Sequence, residues 1–178
     1  MLISVIVYAV ILSDQLTKWW AVHRLQPVSE IPIIRDVLYL KYATNDGMAF
    51  GLLSDSRWVF LLLTTVILVA VLIFLYKTRN RAKHPLFAVS LGLILGGGIG
   101  NMIDRVFFGD TLFCGSVVDF IDFRLIHFAV FNIADSAVCI GEALLILYIL
   151  FFDAKAGGKY YSFAEKEKKA AEDKHDVG

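Results

Sequence analysis

The chain contains 178 residues, of which 58% are hydrophobic and 13% aromatic, and its mean hydropathy is +0.68. A soluble domain of this length is much less apolar, so the composition indicates a membrane protein. Lysine plus arginine balance aspartate plus glutamate at 17 each. This balance argues neither for nor against nucleic acid, and we expect no nucleic-acid partner.

Four apolar stretches are each long enough for a helix to cross the roughly 30 Å hydrocarbon core of a bilayer. The first lacks the charged leader and small-residue cleavage site of a removable signal peptide, so we retain it as a span. The second is uncharged and ends in the interfacial aromatics Trp58 and Tyr76. The third contains GLILGGGIGN, whose small residues favour close helix packing. The predicted spans are about residues 1–22, 58–76, 85–106 and 131–152.

The distribution of positive charge predicts the orientation of these helices, because short loops rich in lysine and arginine remain in the cytoplasm. The loop between the second and third helices reads KTRNRAKH, and the tail after Phe152 adds six lysines. Both are predicted to be cytoplasmic, which places both termini inside and the other two connections outside. The tail, residues 153–178, lacks a core-forming pattern and is predicted to be disordered.

The connection between the first two helices, about residues 26–56, contains the β-rich sequence EIPIIRDVLYLKYATNDG, in which NDG supplies a turn. A small outer-face β-sheet is therefore predicted between helices one and two. The expected fold is an all-α membrane protein with a small β element. Its four-transmembrane-helix bundle and sheet form a single integral membrane domain, residues 1–152.

Polar side chains collect at the predicted outer ends of these apolar helices. Ionisable groups within or beside hydrocarbon are unfavourable, so several at one depth indicate a functional site. The residues concerned are Asp14, Lys18, Asn101, Asp104, Arg105, Asp119, Asn132 and Asp135.

Two of these carboxylates, Asp119 and Asp135, lie just before the fourth helix and in its first turn. Two carboxylates held about 3 Å apart and shielded from water cannot both ionise, so they share one proton. The ionised member can then activate a water molecule, while the protonated member stabilises an oxyanion and protonates a leaving amine. This chemistry hydrolyses a peptide bond without a metal.

Five motifs, in order along the chain, resemble those of lipoprotein signal peptidase. They are DQLTK at 14–18, TNDGMAFG at 44–51, GNMIDR at 100–105, VVDF at 117–120 and FNIAD at 131–135. The resemblance implies an intramembrane aspartyl protease of bacteria, also called signal peptidase II and inhibited by globomycin. It implies cleavage of a prolipoprotein just before its diacylglyceryl-modified cysteine, in the cytoplasmic (inner) membrane, with the active site near the outer face.

The same resemblance implies which residues form the site. The catalytic pair falls on Asp119 and Asp135. The supporting positions fall on Asp14, Lys18, Asn45, Gly47, Asn101, Asp104, Arg105, Asn132 and Ala134. We expect a diacylglyceryl-modified prolipoprotein substrate, contact with membrane lipid, a monomer and no cofactor.

Roles for the helix-borne supports follow from their chemistry. We expect the Asn132 side chain to hold either the Asp135 carboxylate or the substrate backbone by hydrogen bonds, and its position also suits a cap of the fourth helix. Asp104 is predicted to pair with Arg105, and Asn101 to donate a hydrogen bond to a substrate carbonyl.

The outer sheet is expected to present the substrate to these helices. Asn45 and Gly47 would form a tight turn, and Met48 and Phe50 would face lipid over an acylated peptide.

Some of these residues also have a simpler interpretation. Asp14 and Lys18, four residues apart, are equally consistent with a self-contained ion pair at a helix end. We interpret Asp122 as a solvated loop residue, not a third acid. Glu142 lies seven residues after Asp135 on the same helical face, and either a hydrogen bond to another helix, which we favour, or a water-filled cavity would accommodate it.

Other classes of protein are less consistent with the sequence. A proton-coupled carrier would show paired half-repeats, which the sequence lacks. A lipoprotein-binding escort would need an apolar groove but not two acids. Neither the scattered histidines nor Cys114 and Cys139 have the spacing of metal ligands, so no metal is predicted.

Overall fold

The computed structural model describes residues 1–45, 57–78 and 84–153. The described residues form four long helices and a small sheet. The helices are α1 (Leu2–Trp20), α2 (Arg57–Lys77), α3 (Pro85–Phe107) and α4 (Ile133–Phe151). Each predicted span agrees with its helix to within two residues at either end.

Length and composition qualify three helices in the described part of the chain to cross a membrane: α1 with its continuation to Val28, α3 and α4. The apolar stretch counted in α2, Leu61–Lys77, is shorter. Many apolar side chains of α1, α2 and α4 are exposed at the protein surface, as expected where lipid surrounds the protein, whereas those of α3 are mostly buried or half-buried.

Helix α3 is the central element because α1 and α4 both pack against it. Its glycines allow this approach. A Cβ atom added to Gly100 would lie 2.7 Å from the Asp14 carboxylate, and one added to Gly97 would collide with the backbone carbonyl of Ala134. The predicted role of these small residues in helix packing is confirmed.

A three-stranded antiparallel sheet closes one end of the bundle, which we call the sheet end. Its strands are β1 (Glu30–Ile34), β2 (Leu38–Asn45) and β3 (Val117–Asp122), in that spatial order. We expected the sheet to form from the connection between α1 and α2, but β3 comes from the segment between α3 and α4. The side chains of VVDFID are almost all buried, so this strand shows little alternation although it lies at the edge of the sheet beside β2.

One of the two candidate acids, Asp119, lies within the sheet, in the pairing of β2 with β3. Ala43 lies opposite Asp119, and Asn45 lies opposite Val117. Apolar packing beside them involves Ala21, Leu25, Val118 and Phe120. The opposite end of the bundle, which we call the far end, is held by Phe87, Leu91 and Tyr148.

The predicted tail boundary shifts by one residue. Asp153 is buried and its backbone N–H donates to the Tyr148 carbonyl at 3.1 Å, so it belongs to the bundle. The remainder of the predicted tail lies outside the described residues, as do Gly47, Met48 and Phe50.

Candidate active site

Asn132 begins α4 and organises its first turn. Its side-chain oxygen accepts a hydrogen bond from the Asp135 N–H at 2.9 Å, and the Asp135 carboxylate accepts one from the Asn132 N–H at 3.2 Å. This reciprocal arrangement is a capping box, which satisfies two backbone donors that a helix start otherwise leaves unpaired. The predicted cap of α4 is therefore present, but the Asp135 carboxylate is bound by the backbone N–H of Asn132 and not, as predicted, by its side chain.

The same asparagine also binds the second candidate acid. Its amide Nδ2 donates to Asp119 Oδ1 at 2.7 Å. Asp119 lies in β3 and Asp135 in α4, so a single side chain connects the two elements that carry the carboxylates. The structure thus brings Asp119 and Asp135 together around Asn132, which is itself fully buried.

Each carboxylate has a further amide donor of its own. Asn101 Nδ2 donates to Asp135 Oδ1 at 2.7 Å, and Asn45 Nδ2 donates to Asp119 Oδ2 at 3.2 Å. The Asn101 amide is thus turned toward Asp135, and its expected hydrogen bond to a substrate carbonyl stays a prediction. Amide donors of this kind hold carboxylates in place without adding charge.

The surroundings of Asp119 favour its protonated form. Its residue surface is only 3% exposed. Burial and the nearby negative charge of Asp135 raise the pKa of Asp119 to about 7, although hydrogen bonds from Asn45 and Asn132 partly oppose this rise. At neutral pH the pair can therefore hold one proton and one negative charge.

A buried ionic network lies directly behind the pair. Lys18 Nζ lies 2.8 Å from Asp14 Oδ2 and 2.9 Å from Asp104 Oδ2, and it donates to Asn101 Oδ1 at 2.9 Å. The predicted Asp14–Lys18 pair is confirmed, but it is not self-contained. We expected Asp104 to pair with Arg105, whereas the structure gives Asp104 the Lys18 ammonium, because the buried face of α1 meets that of α3 at this level.

Two backbone N–H groups next to the candidate acids complete this network. Ala134 N donates to Asp14 Oδ1 at 3.0 Å, and Val118 N donates to Asp104 Oδ2 at 3.2 Å. Ala134 therefore contributes through its backbone, which explains how a residue without a functional side chain can occupy a supporting position.

Gln15 also belongs to this network, although it was not among the predicted site residues. Its amide donates to Asp104 Oδ1 at 2.9 Å and to Asp14 Oδ2 at 3.2 Å. Its place inside DQLTK, beside Asp14, was the only available signal.

Arg105 lies next to the same cluster. Its guanidinium donates to the Asn101 carbonyl at 3.2 Å, and its positive charge interacts with those of Asp135, Asp119 and Asp104. The side chain is half-buried, so it can offset negative charge while remaining close to a bound molecule.

The interpretation of Asp122 as a solvated loop residue is wrong. Asp122 is 7% exposed at the end of β3 and accepts two hydrogen bonds from Arg124, at 3.3 and 3.1 Å. Glu142 is exposed on α4, and the favoured hydrogen bond to another helix is not found among the described residues.

The fold and site together define a membrane protein whose apolar helices enclose a pair of carboxylates at one end of the bundle. A family profile described as Signal peptidase (SPase) II matches residues 6–151. The chain therefore belongs to the signal peptidase II family.

Curated relatives agree with this assignment. The chain is 45% identical over 148 residues to a lipoprotein signal peptidase of Halothermothrix orenii, covering 83% of this chain and 94% of that protein. It is 42% identical over 156 residues to the lipoprotein signal peptidase of Clostridioides difficile, covering 88% and 99%.

A solved structure, described as a bacterial membrane enzyme determined by the in meso method at 2.3 Å resolution, has the same fold. Its TM-score is 0.71 at 33% identity, covering 83% of this chain and 87% of that one. A second such enzyme, at 1.9 Å resolution, gives a TM-score of 0.70 at 32% identity, covering 85% and 94%.

Proposed function

We propose that this signal peptidase II is an aspartic endopeptidase that removes the signal peptide of prolipoproteins, cleaving just before the diacylglyceryl-modified cysteine. The observation that carries the proposal is the attachment of Asp119 and Asp135 to one buried asparagine. The names of the curated relatives support the choice of substrate.

The two acids have different surroundings, which suggests different roles. Asp135 is the third residue of α4, where the helix dipole favours a negatively charged side chain. Asp119 is almost fully buried and has a pKa of about 7. Asp135 is therefore assigned as the general base and Asp119 as the general acid.

The reaction then needs one water molecule between the two carboxyl groups. Asp135 accepts a proton from the water as its oxygen attacks the scissile carbonyl carbon, and Asp119 stabilises the oxyanion by its hydrogen bond. When the C–N bond breaks, the amine of the modified cysteine receives the Asp119 proton, and the signal peptide leaves with the new carboxyl group. The proton taken from water remains on Asp135, so the pair again holds one proton, which returns to Asp119 before the next cycle. No covalent enzyme intermediate is formed.

The neighbouring polar groups support this reaction electrostatically. Asn101 and Asn45 donate to Asp135 and Asp119 from the sides of the site. Arg105 supplies a positive charge that limits the build-up of negative charge around both acids. Such preorganised groups need no rearrangement during the reaction, which is why they lower its barrier.

The proposed topology has four transmembrane helices, α2 included, in the bacterial cytoplasmic membrane. The concentration of lysine and arginine in the loop after α2 and in the tail supports cytoplasmic termini and a site near the outer face. An outer site would receive prolipoproteins after export of their mature part. The protein is proposed to act as a monomer.

The test uses purified protein in detergent with a diacylglyceryl-modified prolipoprotein, and measures release of the signal peptide. Asp119→Asn and Asp135→Asn should each abolish release. Asp110→Asn, at an exposed aspartate just after α3, is the matched control and should retain full turnover. If both site variants keep turnover, the aspartic mechanism is wrong. Binding of the substrate without cleavage by the wild-type protein would instead indicate an escort.

A further inference from the structure

The Lys18 ammonium is fully engaged within the protein. Its side chain is 3% exposed, and its three acceptors are Asp14 Oδ2, Asp104 Oδ2 and Asn101 Oδ1, all within 2.9 Å. An ammonium has three N–H donors, so none remains for a substrate. Lys18 therefore cannot act on the reacting atoms directly.

Each acceptor of Lys18 is joined by a hydrogen bond either to one of the two acids or to the residue just before it. Asp14 receives the N–H of Ala134, the residue before Asp135. Asp104 receives the N–H of Val118, the residue before Asp119. These two contacts join α1 and α3 to the backbone segments that carry the carboxylates.

The third acceptor, Asn101, touches an acid through its side chain. Because its Oδ1 accepts from Lys18 at 2.9 Å, and also from Asn132 at 3.1 Å, its Nδ2 is left to donate to Asp135. The reversed amide would place its oxygen against the Asp135 carboxylate and its N–H groups against the ammonium. Lys18 thus selects the orientation in which Asn101 is a donor.

We propose that Lys18 is a positioning residue of the active site, which sets the separation of the Asp119 and Asp135 backbone segments through Asp104 and Asp14 and fixes the Asn101 amide toward Asp135. This inference rests on the proposed aspartic mechanism. It goes beyond a structural ion pair, because an Asp14–Lys18 pair within α1 would be satisfied without any contact to α3.

The network also contributes charge to the acids. The charged groups around it are Asp14 on α1, Asp104 and Arg105 on α3, Asp119 on β3 and Asp135 on α4. The Lys18 charge lowers the pKa of Asp119 and opposes the effect of burial. Removing this charge should therefore raise the pH at which Asp119 loses its proton.

The experiment compares Lys18→Met with the neutral triple variant Asp14→Asn, Lys18→Met, Asp104→Asn. The triple variant keeps an oxygen acceptor for both backbone N–H groups and removes the unpaired buried charges that Lys18→Met leaves behind. Lys41→Met, at an exposed lysine on β2, is the control for loss of a lysine. kcat, KM and the pH profile are measured on equal amounts of folded protein.

Lys18→Met should lower kcat roughly 100-fold, the effect of a displacement of about 1 Å at the reacting groups, with KM almost unchanged. The fall of its activity at alkaline pH should move to higher pH. In the triple variant this limb should return toward that of wild type, while kcat stays at least about tenfold low because Asn101 lacks its anchor.

Wild-type kcat in the folded triple variant, or an unshifted pH profile in folded Lys18→Met, would show that Lys18 only balances charge. If neither variant folds, Lys18 is a folding residue and the positioning role is also wrong. These outcomes are separate from failure of the proposed function, which Asp119→Asn and Asp135→Asn decide without any change at Lys18.

Discussion

The two ends of the helix bundle are held together by different forces, although α3 and α4 run through both. At the sheet end, buried charged and amide side chains connect α1, α3, α4 and β3, with the Lys18 ammonium bound to two carboxylates. At the far end, aromatic rings pack against one another. Phe87 and Tyr148 have ring centroids 5.0 Å apart, and His84 lies 5.0 Å from both Tyr148 and Phe152.

Because of this difference, substitutions at the two ends should affect different properties of the protein, turnover at one end and stability at the other. Apolar packing tolerates substitutions that preserve volume, whereas removal of one partner from a buried charge pair leaves the other charge without compensation. The hydrogen bonds of a polar network also fix the orientation of the groups that they join, which apolar contacts do not. Substitutions at the sheet end should therefore mainly lower turnover, and substitutions at the far end should mainly lower stability.

The largest expected effect is that of Asn132→Ala at the sheet end. The change removes the cap of α4 together with the amide that binds Asp119, so both acids lose a support. We expect kcat/KM to fall at least about 100-fold. Ser13→Ala, at an exposed hydroxyl that binds only within α1, serves as control and should stay near wild type. Wild-type kcat/KM in Asn132→Ala would remove the main distinction between the two ends.

The second effect is a dependence of turnover on pH. Asp119 acts as the acid and must be protonated, and its pKa is about 7. As pH rises above this value the protonated fraction falls, so kcat should decrease about tenfold per pH unit. A rate profile from pH 5 to 9, on a substrate without titratable groups near the scissile bond, measures this. A kcat that increases through this range would contradict the assignment of Asp119 as the acid.

The far end should show the opposite behaviour in Phe87→Ala. The side chain is fully buried against Tyr148, so its loss leaves a cavity and should lower the free energy of unfolding by about 3 kcal/mol. Because no polar contact to the acids is altered, kcat per folded molecule should remain within about twofold of wild type. Thermal denaturation and turnover are measured on the same sample. A large loss of kcat with unchanged stability would show that the two ends are coupled.

The smallest effect is expected for Asp122→Asn. This residue lies three positions from Asp119, but its carboxylate binds Arg124, whose side chain is 35% exposed. A partly exposed pair of this kind contributes less than about 1 kcal/mol, and kcat should not change. The comparison with Asp119→Asn is informative because both residues lie in β3. Inactivity of Asp122→Asn would require a third acid.

Hydropathy alone was sufficient to predict the helices, since an apolar run of about 20 residues has few alternatives to a membrane span. Asp119 and Asp135 were predicted from their depth and motifs, and the structure places them around Asn132. Strand β3 was missed because VVDFID is buried on both sides and shows little of the alternation typical of an exposed strand.

The partners of the buried charges could not be obtained in the same way. Asp14 and Ala134 lie 120 residues apart, and Lys18 and Asn101 lie 83 apart. A sequence indicates the depth of a residue in a helix, but the rotation of that helix against its neighbours depends on packing. The adjacent Arg105 was therefore predicted as the partner of Asp104, whereas the partner in the structure is Lys18 on α1.

The central claim is that Asp119 and Asp135 hold a single proton between them, and infrared spectroscopy of carboxyl groups tests it most directly. Difference spectra between wild type and Asp119→Asn isolate the signal of that side chain. We predict a protonated-carboxyl band below pH 6 that is absent in Asp119→Asn and disappears as the pH rises through about 7. A band that is missing below pH 6, or one that is identical in Asp119→Asn, would contradict the account.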